Sequence, residues 1–182
     1  MSTAHEHHHH DTEHDPACDV AHGTAVPPAE NKVLVAVFDS PVARFLLRYA
    51  ADAGYATALA EPDPGRARAA KADGLPATDG LNGYPKGTAD VVVTDHHRPE
   101  LGPMLRDALA SGARWVGIMG NPRHPAPHVP ALAQLGVPAE EIARVRRPIG
   151  LNIGSHTPAE IAIATMAGLI ADRNGKPGGF EF

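Results

Sequence analysis

Three short apolar runs, each closed by a polar turn that can open a helix, constrain this chain more than any other feature. They are Lys32–Phe38 (KVLVAVF), Asp90–Thr94 (DVVVT) and Arg114–Met119 (RWVGIM). Runs of this length suit buried strands and are too short for a stable helix. After the first run stands Asp39-Ser40-Pro41, with a side chain that can cap a helix N-terminus and a proline suited to the first helical turn. Val42, Leu46, Leu47 and Ala50 then share one helical face, and the helix is expected to stop near Gly54. The same grammar repeats. Tyr55–Ala60 reads as a strand, and Asp63-Pro64 opens a helix through Ala72. Leu75–Thr78 is a weaker strand, and the segment around Asn82-Gly83 and Lys86-Gly87 is a loop.

Helices are further expected from Pro99 through Ala110, over Ala131–Leu135, from Pro138 to about Arg144, and over Pro158–Arg173. The last opens with a capping box, Thr157-Pro158-Ala159-Glu160, and ends at Asn174-Gly175. Strands alternating with helices imply right-handed crossovers and an α/β fold of three layers around a mostly parallel sheet. Aromatic residues are only 4%, so its core must come from Ala, Val, Leu and Ile. This domain is expected over residues 31–174, between a tail at 1–30 and a short C-terminal tail at 175–182.

The N-terminal tail holds six acids and no Lys or Arg, so the net charge of −5 leaves the remainder near neutral. A near-neutral domain lacks the basic footprint of a nucleic-acid binder. No stretch is apolar enough to span a membrane, and no secretory signal is visible. Cys18 is the only cysteine, which excludes an intramolecular disulfide and fits a cytoplasmic location. The tail has no hydrophobic periodicity and is expected to be disordered. Its His5, His7, His8, His9, His10 and His14, interleaved with carboxylates, offer ligands for nickel or zinc; the alternative is an inert tail.

In a parallel α/β sheet, ligands bind beyond the carboxyl ends of the strands, where strand order reverses. The candidate site groups are therefore Asp39 and Ser40, Glu61, Asp95 to His97, and Gly120 to Arg123. The first turn, Phe38-Asp39-Ser40-Pro41-Val42-Ala43, has none of the glycines of a dinucleotide fingerprint, although its helix dipole still favours an anion. Glu61 is placed either to hold a ribose hydroxyl or simply to end a strand. Asp95, His96 and His97 can bind a metal, donate to an anion or move protons, or serve as a polar loop. Arg123 and His124, after Gly120-Asn121, can grip a phosphate through the arginine fork; Arg144, Arg146 and Arg147 form a short basic group that can do the same or simply be solvated. Serine-nucleophile elbows, H-E-x-x-H and phosphate-loop signatures are absent, as are internal repeats.

Two blocks carry a family resemblance. W-V-G-I-M-G at 115–120, and R-R-P-I-G-L-N-I-G-S-H-T-P-A-E-I-A at 146–162, look like the C-terminal Rossmann-like domain of the XdhC/CoxI family. Val93 to His97 resembles its T-H-x-H segment, Phe38 to Ala43 its G-A-G-P-V-A turn, and Glu61-Pro62 its D-P. The resemblance implies an accessory protein for molybdenum hydroxylases such as xanthine or carbon monoxide dehydrogenase. Such a protein would be a carrier more than a catalyst. It would bind molybdenum cofactor (molybdopterin), aid its sulfuration and insertion into a client molybdoenzyme subunit, and form a homodimer. Carried onto this chain, Asp95, His97, Gly120, Arg123, Gly150, Asn152 and Glu160 would surround the ligand, beside Ser40, Glu61 and Asn121. The chain departs from the pattern where Phe38 and Ser40 replace glycines, Asp95 replaces a histidine, and Pro122 and Asn152 replace an arginine and an aspartate. An NAD(P)-binding oxidoreductase domain and a nickel- or zinc-handling protein are the other expectations. Gly150 and Gly154 also have a structural reading as points of close backbone approach, and Glu160 as no more than a helix cap.

Overall fold

The structure, a computed structural model, describes residues 16–26, 31–81, 83–121 and 123–179. The chain divides into a first unit over 1–30 and a second over 31–182. The histidines read as metal ligands (His5, His7, His8, His9, His10 and His14) lie outside the described residues. Within the first unit, Pro16–Ala21 forms a short helix, α1, none of whose residues is buried. Thr24 closes the turn after it by donating from its hydroxyl to Asp19. Part of the segment expected to lack structure therefore carries local order, opened by a proline in the first turn and held by short-range hydrogen bonds.

The second unit follows the alternation of the sequence. In order come β1 (Val33–Val37), α2 (Pro41–Asp52), β2 (Ala56–Ala60), α3 (Pro64–Ala72), β3 (Ala77–Thr78) and β4 (Ala89–Val93). Then follow α4 (Leu101–Ala110), β5 (Trp115–Ile118), α5 (His128–Gln134), α6 (Ala139–Ile142) and α7 (Pro158–Arg173). The five strands pair in the order β3-β2-β1-β4-β5, and every pairing is parallel. Strand order reverses between β1 and β4, so the switch point lies where Phe38 and Thr94 leave the sheet.

Alternation along β1 divides the core into two. Val33, Val35 and Val37 face a cluster with Leu101, Leu105, Leu132 and Ile142, which places α4, α5 and α6 on one face. Leu34 and Ala36 face the other, against Leu46, Leu47 and Ala50 of α2, Ala70 of α3, and Ala162, Met166 and Leu169 of α7. The predicted three-layer α/β architecture is the observed one.

Capping fixes the helices as the sequence implied. Ser40 accepts a hydrogen bond from the Ala43 N–H, and Asp63 from the Arg66 N–H, each with a proline in the following turn. Both halves of the Thr157/Glu160 capping box are formed. Two helices begin elsewhere than expected. α4 starts at Leu101 rather than Pro99, because Pro99-Glu100 forms a turn in which the Leu101 N–H donates to the Arg98 carbonyl. α5 starts at His128 rather than Ala131. Pro130 sits within its first turn, where a missing N–H removes no helical bond.

The amino edge of the sheet is tied to the end of α7. Asp90 is fully buried and accepts from Nε of both Arg114 and Arg173 at 2.7 Å. Because Arg173 ends α7 beside the start of β4, and 16 residues of helix span about 24 Å, α7 begins at the opposite, carboxyl edge.

Candidate functional site

At the carboxyl edge the first turn is built by backbone demand. Phe38 keeps a left-handed backbone, φ 72°, in the place where dinucleotide folds put glycine. Its ring is completely buried. The Thr94 hydroxyl lies 3.0 Å from the carbonyl oxygens of both Val37 and Phe38 and accepts from the Ser40 hydroxyl at 2.9 Å. Ser40 thus cross-links the first turn to the end of β4 while capping α2. Asp39 is bound twice by Arg44, Nε to Oδ1 at 2.9 Å and Nη2 to Oδ2 at 2.7 Å, and Arg44 also reaches Asp73 at 2.7 Å. These two carboxylates push the Arg44 guanidinium further up. Outside this turn, Asp39, Ser40, Pro41, Arg44, Phe45 and Arg48 line a groove of about 510 Å³.

Glu61, directly after β2, is fully buried. Both its oxygens are taken by the protein. Oε2 accepts from the Asp39 N–H at 2.9 Å and from Arg98 Nη1 at 3.2 Å. Oε1 accepts from the Asp63 N–H and from Arg98 Nη2, each at 3.0 Å. The Arg98 guanidinium, raised further by Glu61, stands 4.7 Å from the centre of the Phe38 ring.

The other half of the edge, beyond β4 and β5, is organised differently. Asp95 closes a local turn, its Oδ1 accepting from the His97 N–H at 2.9 Å. The turn brings the rings of His96 and His97 within 4.1 Å, so the three side chains do not diverge as they would on an extended strand. Burial lowers the His96 pKa, with His97 and Arg147 adding to the effect and Asp95 opposing it. Arg147 crosses over Gly120, where a Cβ would lie 2.7 Å from its Nε. It pins the following loop by donating from Nη2 to the Asn121 carbonyl at 2.8 Å and towards the His124 carbonyl at 3.3 Å. Nε of Arg147 is buried without a partner among the described residues, and so is Nδ1 of His128. Asn121 accepts the Arg123 N–H at 2.9 Å, which leaves the Arg123 side chain on the exposed rim.

The structure therefore gathers Ser40, Glu61, Asp95, His97, Gly120, Asn121 and Arg123 along one edge, although Glu61 is occupied by Arg98. Glu160, at the start of α7, accepts from the His156 and Thr157 N–H groups at 2.7 and 3.1 Å, which lower its pKa. Asn152 is exposed in the loop before α7. Gly150 is elsewhere. With φ 83° it packs on α7, where a Cβ would meet the Ala164 carbonyl carbon and the Thr165 nitrogen at 3.0 Å. Sequence reading misses Arg98, although it adjoins the Asp95–His97 cluster, and it names Arg147 only within a basic group, without its place over Gly120. Among the described residues no group of three or more His, Cys, Asp or Glu side chains is arranged to hold a metal ion. No described helix is long and apolar enough to cross a membrane.

A parallel sheet that reverses at β1/β4, with polar groups collected at its carboxyl edge, defines a ligand-binding domain of the Rossmann type. The family model described as the XdhC Rossmann domain matches residues 34–169, and the chain belongs to that family. It is 31% identical over 103 residues to YqeB of Escherichia coli, a protein described as uncharacterized, covering 57% of this chain and 18% of YqeB. A crystal structure described as a xanthine dehydrogenase from Bacillus halodurans superposes with a TM-score of 0.62 at 20% identity, covering 80% of this chain and 45% of that one. The chain thus spans less than half the length of either relative.

Proposed function

We propose that this chain is an accessory protein in the maturation of a molybdenum hydroxylase of the xanthine or carbon monoxide dehydrogenase type. It binds the phosphorylated cofactor at the carboxyl edge of its sheet and passes it to the client enzyme subunit. The observation that carries this reading is membership of the XdhC family across most of the domain.

The donor set at the β4–β5 half fits a phosphorylated pterin. Arg147 Nε is buried without a described partner, Arg123 is exposed on the rim, and Asp95 turns towards the His97 N–H. The exposed Arg123 fork and the His97 ring offer a phosphate charge-assisted donors. Arg123, with His97 and Asn121, would hold the phosphate, and Asp95 and Asn152 would meet the polar pterin edge. Gly120 leaves room for Arg147 to keep the loop in place. The cofactor supplies redox chemistry to the client; this chain's residues bind it, orient it and shield it until transfer.

The test is ligand content. The full, untagged chain is purified from a molybdate-fed, cofactor-producing host, oxidised, and assayed for pterin fluorescence. Near-stoichiometric pterin, lowered at least tenfold in Arg123→Ala, is the expected result. A protein free of pterin that also fails to activate an apo-hydroxylase supplied with cofactor overturns the reading.

A further inference from the structure

In a dinucleotide-binding fold, two groups at the β1–β2 half of the crevice receive the nucleoside end of the ligand. A backbone N–H of the first turn meets the pyrophosphate, and an acid after the second strand accepts from the ribose hydroxyls. This chain uses both on itself. The Asp39 N–H is spent on Glu61 Oε2. The Glu61 carboxylate, which a ribose would have to approach, already accepts four N–H donors, two on each oxygen. A carboxylate has about four lone-pair positions, so Glu61 is saturated.

The closure is physical as well as chemical. Phe38 and Glu61 are 0% exposed, and the Arg98 side chain is 9% exposed. Arg98 lies over the Phe38 ring and is held from its far side by Glu100, Nε to Oε2 at 3.2 Å. A ligand entering at this end would have to expel a guanidinium that neutralises a buried carboxylate. Doing so leaves the charge of a fully buried carboxylate without its cation, which is strongly disfavoured. Among the described residues no comparable seal exists at the β4–β5 half, where Arg123 and His97 are exposed.

We infer that Arg98, laid between Glu61 and Phe38, is the specificity-determining residue that seals the nucleoside half of the crevice and confines this domain to ligands without a nucleoside at the β2 end. For the phosphorylated pterin this inference rests on the carrier reading above, and it selects a cofactor ending in a phosphate monoester over one extended by a nucleotide through β2. The seal itself does not depend on that reading.

The experiment is calorimetric titration of the full chain with NADH and with adenosine, alongside Phe38→Gly/Arg98→Ser. The double variant gives the first turn a residue at ease with positive φ and frees the Glu61 carboxylate. The wild type is expected to show no saturation up to about 1 mM of either ligand, and the folded double variant is expected to gain adenosine binding at least tenfold tighter than that limit. Nitrogen-detected NMR of wild-type Arg98 keeps the idea exposed if the variant does not fold. A pinned, slowly exchanging Nε–H, unmoved by NADH, is expected. Wild-type saturation by either ligand below about 1 mM overturns the seal. So does a rapidly exchanging Arg98 Nε–H, or a folded double variant that remains blank with adenosine. Pterin content measured on the same sample separates the two readings: a pterin-free protein counts against the carrier role alone, and NADH saturation counts against the seal alone.

Discussion

Arg173, at the last turn of α7, donates from Nε to Asp90 Oδ2 at 2.7 Å across 83 positions of sequence. Its Nη2 reaches the Thr88 carbonyl at 2.8 Å. Asp90 is fully buried and also takes Arg114 Nε, and Arg114 goes on to Asp172. One carboxylate thereby fastens the start of β4 to the start of β5 and to the end of α7. Removing it leaves two part-buried guanidinium groups without the carboxylate they share. Breaking a buried pair in this way costs about 3–5 kcal/mol. Asp90→Ala should lower the urea midpoint accordingly, and a loss under about 1 kcal/mol, the scale of a surface pair, would show the network to be dispensable.

What the sequence made legible was local. The helix caps at Ser40, Asp63 and Thr157 each depend on atoms within three residues, and all three form. The strands depend on short apolar runs, and their alternation with helices determined the sheet type and the edge that carries the site. The partners of Glu61 and Asp90 were not legible. Arg98 lies 37 positions from Glu61 and Arg173 lies 83 from Asp90, so nothing local distinguishes these arginines from solvated ones. Burial decides it. A carboxylate at a strand end inside a closed core must find a cation, and only the assembled fold shows which one is near.

Gly150 and Gly154 offer a contrast within one loop. Both have positive φ, 83° and 69°, but only Gly150 touches the helix, its absent Cβ falling 3.0 Å from the backbone of Ala164 and Thr165. At Gly154 a Cβ would meet nothing within 4 Å. Gly154→Ala should therefore cost only the backbone penalty, about 1–2 kcal/mol. Gly150→Ala should cost that and a displacement of α7, adding about 1–3 kcal/mol. Equal melting temperatures for the two variants would show that the loop yields and that contact with α7 is not what demands glycine.

The Thr94 hydroxyl links the first turn to β4, accepting from Ser40 while facing the Val37 and Phe38 carbonyls. Thr94→Val keeps the shape and deletes these bonds. Stability should fall by about 1–3 kcal/mol, as expected for leaving part-buried polar groups without partners. Amide exchange at Ala43, whose N–H is capped by Ser40, should quicken, because Ser40 loses the acceptor that orients it. Unchanged exchange at Ala43 would mean that the cap is held by α2 alone.

The last expectation concerns pH. Burial lowers the His96 pKa, and burial followed by the Arg147 charge lowers that of His128. His128 is 6% exposed, and its Nδ1 has no partner among the described residues, so a proton added there would find no acceptor. Both groups have folded pKa values below the unfolded value of about 6.5. Below that pH the unfolded chain binds more protons than the folded one, so stability rises with pH. It should be fully present above about pH 7 and decline as pH falls through 6.5 towards the lowered values. The melting temperature should drop between about pH 7.5 and 5.5, at roughly 2–4 °C for each kcal/mol lost. His128→Leu removes one of the two groups and should flatten that slope, and Arg147→Gln should flatten it less, because burial is the larger cause at His128. A slope unchanged in His128→Leu would place the acid sensitivity in His96 or in the carboxylates, whose protonation acts at lower pH.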